Sequence, residues 1–156
     1  MFRDPPNMPG WHGVPLKSAI QHAVPELPVY VEHDANAGAL AEWRFGVGRG
    51  RSIRHLVYLT FGTGMGAGII ANGQLLRGAS DTAGEVGHVR VADDGPSAFG
   101  KTGAWEAFAS GVGLVRLAAR MYPGRWHTTT PIQEVVSAIL SGDSDMAVVA
   151  AEAGRM

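Results

Sequence analysis

The chain contains no cysteine, which excludes a disulfide framework and any thiolate metal site. It also lacks an excess of either charge. Thirteen basic side chains face 14 acidic ones, a formal net charge of -1, and the densest basic group is only Arg44, Arg49, Arg51 and Arg54. That balance argues against nucleic acid as the main partner of this segment, and the four arginines read as a solvated loop. A long uninterrupted apolar run is missing too. Residues 52–76 hold one charged side chain, Arg54, but their five glycines, the Asn72-Gly73 pair and Gln74 make a poor helix in lipid, so no membrane span is expected there. The opening MFRDPPNMPGW lacks the apolar core of a signal peptide, and a cytoplasmic setting is expected. With 46% apolar and 17% charged residues, the 156 positions suit a globular protein with one sizeable core.

Glycine is abundant instead, with 22 residues. Gly62, Gly64, Gly66 and Gly68 alternate between the β-forming residues 56–60 and Ile69-Ile70, so one face of a strand there carries no side chains. Asn72-Gly73 supplies a two-residue hairpin turn and residues 74–76 the return strand. Two uses of such a hairpin remain open: backbone N–H groups holding phosphate oxygens, or close packing against a neighbouring backbone with no ligand. Gly62-x-Gly64-x-x-Ala67 formally matches a dinucleotide fingerprint. That motif must open a helix, however, whereas a hairpin is expected here.

In chain order, an irregular proline-rich opening leads to a short helix with Leu16, Ile20 and Ala23 on one face. Pro25 and Pro28 force extended geometry, and residues 29–31 read as a buried strand delivering Glu32, His33 and Asp34 to its C-terminal end. A helix follows from Ala35, so Asp34 stands at a strand tip and at a helix start, where an N-cap role would account for it without any chemistry. Residues 46–52, GVGRGRS, are the best boundary between two lobes. Glu85 and His88 lie close in a glycine-bounded loop, free to serve a ligand or to pair with each other, and a short strand is expected at 89–92. A loop at 96–102 precedes one long helix over 104–122, with Glu106 in its first turn. Thr130, Pro131 and Gln133 match a capping box for a helix carrying Ile132, Val135, Val136, Ile139 and Leu140, and a last helix starts near Asp143.

Five elements in this order, residues 6–11 (PNMPGW), 32–37 (EHDANA), 61–68 (FGTGMGAG), 84–88 (GEVGH) and 103–111, resemble the ROK family of sugar kinases and sugar-responsive repressors. The resemblance covers essentially the whole chain. It implies an α/β fragment of an actin-like, ribonuclease-H-like, two-lobe ATPase fold. Residues 1–46 would end the N-terminal lobe with the catalytic aspartate, and residues 47–156 would begin the C-terminal lobe with the phosphate hairpin and sugar loop. Carried over by residue, Asp34 matches the base that deprotonates the attacking sugar hydroxyl. His33, Glu85, His88 and Glu106 match groups that bind the other hydroxyls, and Gly62, Thr63 and Gly64 match a phosphate loop. His33 stands where the family commonly has asparagine.

Two departures stand out. The family's zinc motif, a histidine with Cys-x-Cys-Gly-x-x-Gly-Cys-x-Glu, runs here as Ser97-Ala98-Phe99-Gly100-Lys101-Thr102-Gly103-Ala104-Trp105-Glu106. With His88 left alone as a possible ligand no zinc is expected, and Phe99 and Trp105 are expected to hold by packing what the metal holds elsewhere. The N-terminal ATP-phosphate loop and the C-terminal half of the second lobe have no counterpart, so the chain resembles the middle of a longer protein. The parent implied is a glucokinase-like enzyme phosphorylating a hexose or N-acetylhexosamine with ATP and magnesium (Mg2+), acting as a homodimer with no membrane partner. The alternatives are a sugar-sensing repressor, the one case with a nucleic-acid partner, or a truncated remnant. The isolated chain is expected to be inactive.

Overall fold

A computed structural model describes residues 9–156, so Pro6-Asn7-Met8 of the first matched element lie outside the described residues. Two compact units are present, one ending at Asp34 and the other beginning at Ala35. In the first, helix α1 (Leu16–Ala23) follows Pro15. Beyond it Gln21 organises the chain: its Nε2 donates to Leu27 O at 2.7 Å and its Oε1 accepts from Val29 N at 3.1 Å. The strand expected at 29–31 does not form, and Tyr30 is 84% and Val31 47% exposed. A β-prone sequence becomes a strand only when its N–H and C=O groups find a neighbouring chain, and no described strand pairs with this one. Asp34 is the first residue of α2 (Asp34–Arg44) and lies inside the first turn rather than at the flanking cap position.

The second unit contains the expected hairpin. Strands β1 (Leu56–Phe61), β2 (Met65–Ala71) and β3 (Gln74–Leu75) form an antiparallel sheet in that order. Asn72 and Gly73 have φ of 53° and 79°, the two positive values that a type I′ turn requires. Residues of α2 cover one face because the sheet is bare there. A Cβ on Gly68 would stand 2.1 Å from Ala35 O and 2.6 Å from Ala39 Cβ, and on the helix side one on Gly38 would meet the Tyr58 ring at 2.5 Å. The opposite face of β1 leaves Val57, Leu59 and Phe61 exposed.

Beyond the sheet, residues 86–88 make a single 3-10 turn, and the strand expected at 89–92 reduces to one bridge between Arg90 and Ala104. The loop at 96–102 is a miniature hairpin of β4 (Ser97–Ala98) and β5 (Lys101–Thr102). The long helix expected over 104–122 is two helices, α3 (Trp105–Ala109) and α4 (Gly111–Met121). Ser110 breaks it. Its backbone is extended and its Oγ accepts from Gly113 N at 2.9 Å, which caps α4 as serine commonly does. Helices α5 (Ile132–Leu140) and α6 (Ser144–Arg155) complete a core of Phe108, Val115, Leu117, Val135, Met146 and Val149. No capping box forms at α5, because Thr130 Oγ1 accepts from His127 N instead. No helix among the described residues is long and apolar enough to cross a membrane.

At the start of α6, Asp143 accepts from Asp145 N and Met146 N and pairs with Arg125. The Arg125 hydrogen bond, then the Met146 N–H, hold the Asp143 carboxyl below its ordinary value of 3.8. A carboxyl depressed in the folded state stabilises the fold above that value and loses the contribution as pH falls through the folded one. Asp143→Asn keeps a cap acceptor but not the charge. The Tm gap between parent and variant is therefore expected to be widest at neutral pH and to close in strong acid; a gap independent of pH would show that the ion pair contributes nothing.

Candidate functional site

The hairpin tip, residues 62–64, is fixed from behind by α4, whose Gly111 N donates to Gly62 O at 2.8 Å. Gly62 has nothing within 4 Å of where a Cβ would stand. Three residues on, the Met65 N–H donates to Glu106 Oε2 at 2.8 Å, and a Cβ on Gly64 would lie 2.9 Å from the same oxygen. The first turn of α3 thus brings its carboxylate directly against the tip.

The loop carrying Glu85 and His88 reaches the same place by another route. Strand β3 leaves the edge of β2 after pairing with Ile70 and Ala71, and Gly84 takes up the vacated edge by accepting from Ala67 N at 2.9 Å. Gly87 then passes so close that a Cβ would stand 3.1 Å from Met65 O and 3.3 Å from Glu106 Oε2. His88 Nε2 lies 3.7 Å from Glu85 Oε2, both side chains half-exposed. Hairpin tip, Glu106 and the 84–88 loop converge within the second unit. His33 and Asp34 belong to the first unit, with His33 Nδ1 3.2 Å from Asp34 Oδ1 and both groups open to solvent.

The glycine run therefore has more than one use. Gly68 packs on helix backbone, Gly64 makes room for a carboxylate, and Gly62 borders open space. Among the described residues no three His, Asp or Glu side chains are grouped to share a metal. The His88 ring stacks on Phe99, centroids 3.6 Å apart and planes 15° from parallel. The Trp105 side chain lines an apolar cavity of about 360 Å³ with Phe61, Leu114, Ile139 and Met156.

The Met65–Glu106 bond was not visible in the sequence. Removing the acceptor leaves a partly buried N–H unsatisfied, so Glu106→Ala is expected to lower stability by about 1 kcal/mol in urea unfolding, with Glu106→Gln retaining most of it. Equal stability of Glu106→Ala and the parent would mean that water satisfies Met65 N.

The ROK family model matches residues 3–155. The chain belongs to the ROK family. It is 42% identical to a glucokinase of Streptomyces coelicolor over 136 residues, 86% of this chain and 41% of that one. It is also 42% identical to a xylose repressor of Caldicellulosiruptor bescii over 112 residues, 71% of this chain and 27% of the repressor. Among solved structures, a ROK family glucokinase from Streptomyces griseus in complex with glucose and AMPPNP superposes with a TM-score of 0.68 at 35% identity, covering 90% of this chain and 48% of that one. This ROK chain spans less than half the length of those relatives. Its fold is a fragment of the α/β, actin-like ATPase architecture of the ROK sugar kinases.

Proposed function

We propose that this ROK chain is a segment of a glucokinase-like enzyme that transfers phosphate from ATP, with magnesium, to a hexose or N-acetylhexosamine. The observation that carries the reading is the convergence on Glu106, whose carboxylate stands against both the hairpin tip and the Gly87 backbone of the Glu85–His88 loop. A sugar needs several acceptors and donors in one place, and phosphoryl transfer needs positioning and charge stabilisation next to them. In this reading Asp34 is the base. His33, Glu85, His88 and Glu106 contact sugar hydroxyls, and Gly62, Thr63 and Gly64 would hold phosphate oxygens. Bound nucleotide and metal supply the transferred group and neutralise its charge. The enzyme in this reading is a cytoplasmic homodimer.

The xylose-repressor relatives support a second reading, in which the same pocket senses sugar without turnover. The deciding experiment uses a full-length protein containing this chain: calorimetric titration of hexoses and N-acetylhexosamines beside sugar-dependent ADP production. Kinase activity is expected, with Glu85→Gln and His88→Ala raising KM more than they lower kcat, because hydroxyl contacts exist in ground and transition states alike. Sugar binding with no ADP production, together with sugar-dependent release of operator DNA, would establish the repressor instead.

A further inference from the structure

The tip of the β4–β5 hairpin holds an unexpected residue. Phe99 and Gly100 have φ of 54° and 67°, the pair of left-handed conformations of a type I′ turn. Glycine or asparagine occupies the first of these positions at little strain, whereas a bulky aromatic does so rarely. Half of the Phe99 surface is exposed, so burial in a core does not account for it either. What the strained position achieves is the stack: the ring lies flat on the His88 imidazole at 3.6 Å. Two residues on in the same hairpin, Lys101 holds the histidine from its backbone side, its Nζ donating to His88 O at 2.9 Å. Strain that persists in an exposed turn points to a role beyond the turn itself.

We propose that Phe99 is a positioning residue for His88, and that the β4–β5 hairpin serves as a clamp that fixes the plane of the imidazole beside Glu85. The clamp leaves the ring nitrogens at the edge of the stack, where Nε2 faces Glu85 Oε2 at 3.7 Å. Its consequence for sugar affinity rests on the proposed function; the clamp itself does not.

Two substitutions separate clamp from turn. Phe99→Asn relieves the backbone strain while deleting the ring, so the fold is expected to be kept, with Tm equal to or above the parent. Phe99→Tyr keeps the ring. In proton–carbon NMR of the 156-residue chain, with His88 assigned by His88→Gln, its ring protons are expected upfield in the parent through the Phe99 ring current. That displacement should disappear in Phe99→Asn and return in Phe99→Tyr. An undisplaced His88 signal in the parent, or a displacement that survives Phe99→Asn, would overturn the proposal. In a full-length kinase, Phe99→Asn is expected to raise sugar KM by about 2- to 10-fold, the equivalent of one stacked pair, with kcat nearly unchanged and Phe99→Tyr restoring KM. If the NMR displacement is lost while KM stays at the parent value, His88 is clamped but does not meet the sugar, and the functional reading fails instead of the clamp.

Discussion

Asp34→Asn, in a full-length protein containing this chain, is expected to retain sugar binding while turnover falls by about 100- to 10,000-fold, the usual range for a lost general base. Asparagine keeps the shape and the acceptor oxygen but cannot receive the hydroxyl proton. The competing role of Asp34 is small by comparison. A solvent-open carboxylate in the first turn of a helix interacts with the dipole by about 0.3–1 kcal/mol, which acts on stability and not on a chemical step. Calorimetric sugar affinity measured beside steady-state turnover distinguishes the two. Turnover within a few-fold of the parent, with stability lowered, would reduce Asp34 to a helix-terminus residue.

A large stability effect is expected from Gly68→Ala. Its new methyl would sit 2.1 Å from Ala35 O, a backbone atom that no rotamer change can move, so α2 residues must shift from the sheet. Overpacking of that kind costs about 3 kcal/mol, at or beyond the upper end of the usual range. Gly66→Ala, two residues away on the same strand, meets only Thr60 Cγ2 at 3.6 Å and Ala35 Cβ at 3.7 Å, which are ordinary contacts. It is expected to be neutral or to gain a few tenths of a kcal/mol from reduced freedom of the unfolded chain. Urea unfolding of the pair decides the matter, and similar midpoints would show that helix and sheet do not meet at Gly68.

The contrast between these neighbours also marks how far the sequence could be read. Alternating glycines, the Asn72-Gly73 turn and the returning strand were legible because hairpin chemistry is local. Which glycine faced a helix and which faced a carboxylate was not, since that depends on Ala35 and Glu106, remote in sequence. The strand at 29–31 was expected because Val-Tyr-Val is β-prone, and it failed for want of a partner. The break at Ser110 had a visible mark in the Ser110-Gly111 pair, but the apolar stripe through Phe108 and Val112 outweighed it. The candidate residues Glu85, His88, Glu106 and Gly62 to Gly64 were recognisable as motifs. The Glu106 bond to the Met65 N–H, the passage of Gly87 beside the same carboxylate, and the stack of Phe99 on His88 needed coordinates.

The link from Met65 N to Glu106 closes a loop of 41 residues. Loop closure over such a distance draws on chain entropy before any contact rewards it, whereas the β1–β2 ladder closes across a three-residue tip. The hairpin is therefore expected to form early in folding, and the carboxylate to dock against its tip late. In the native state the order reverses. The Glu106 tie is a natural point of local opening, and the Met65 amide becomes its clock: hydrogen exchange at Met65 should run ahead of exchange in the middle of β2, timing release of the carboxylate while the sheet and the core stay intact.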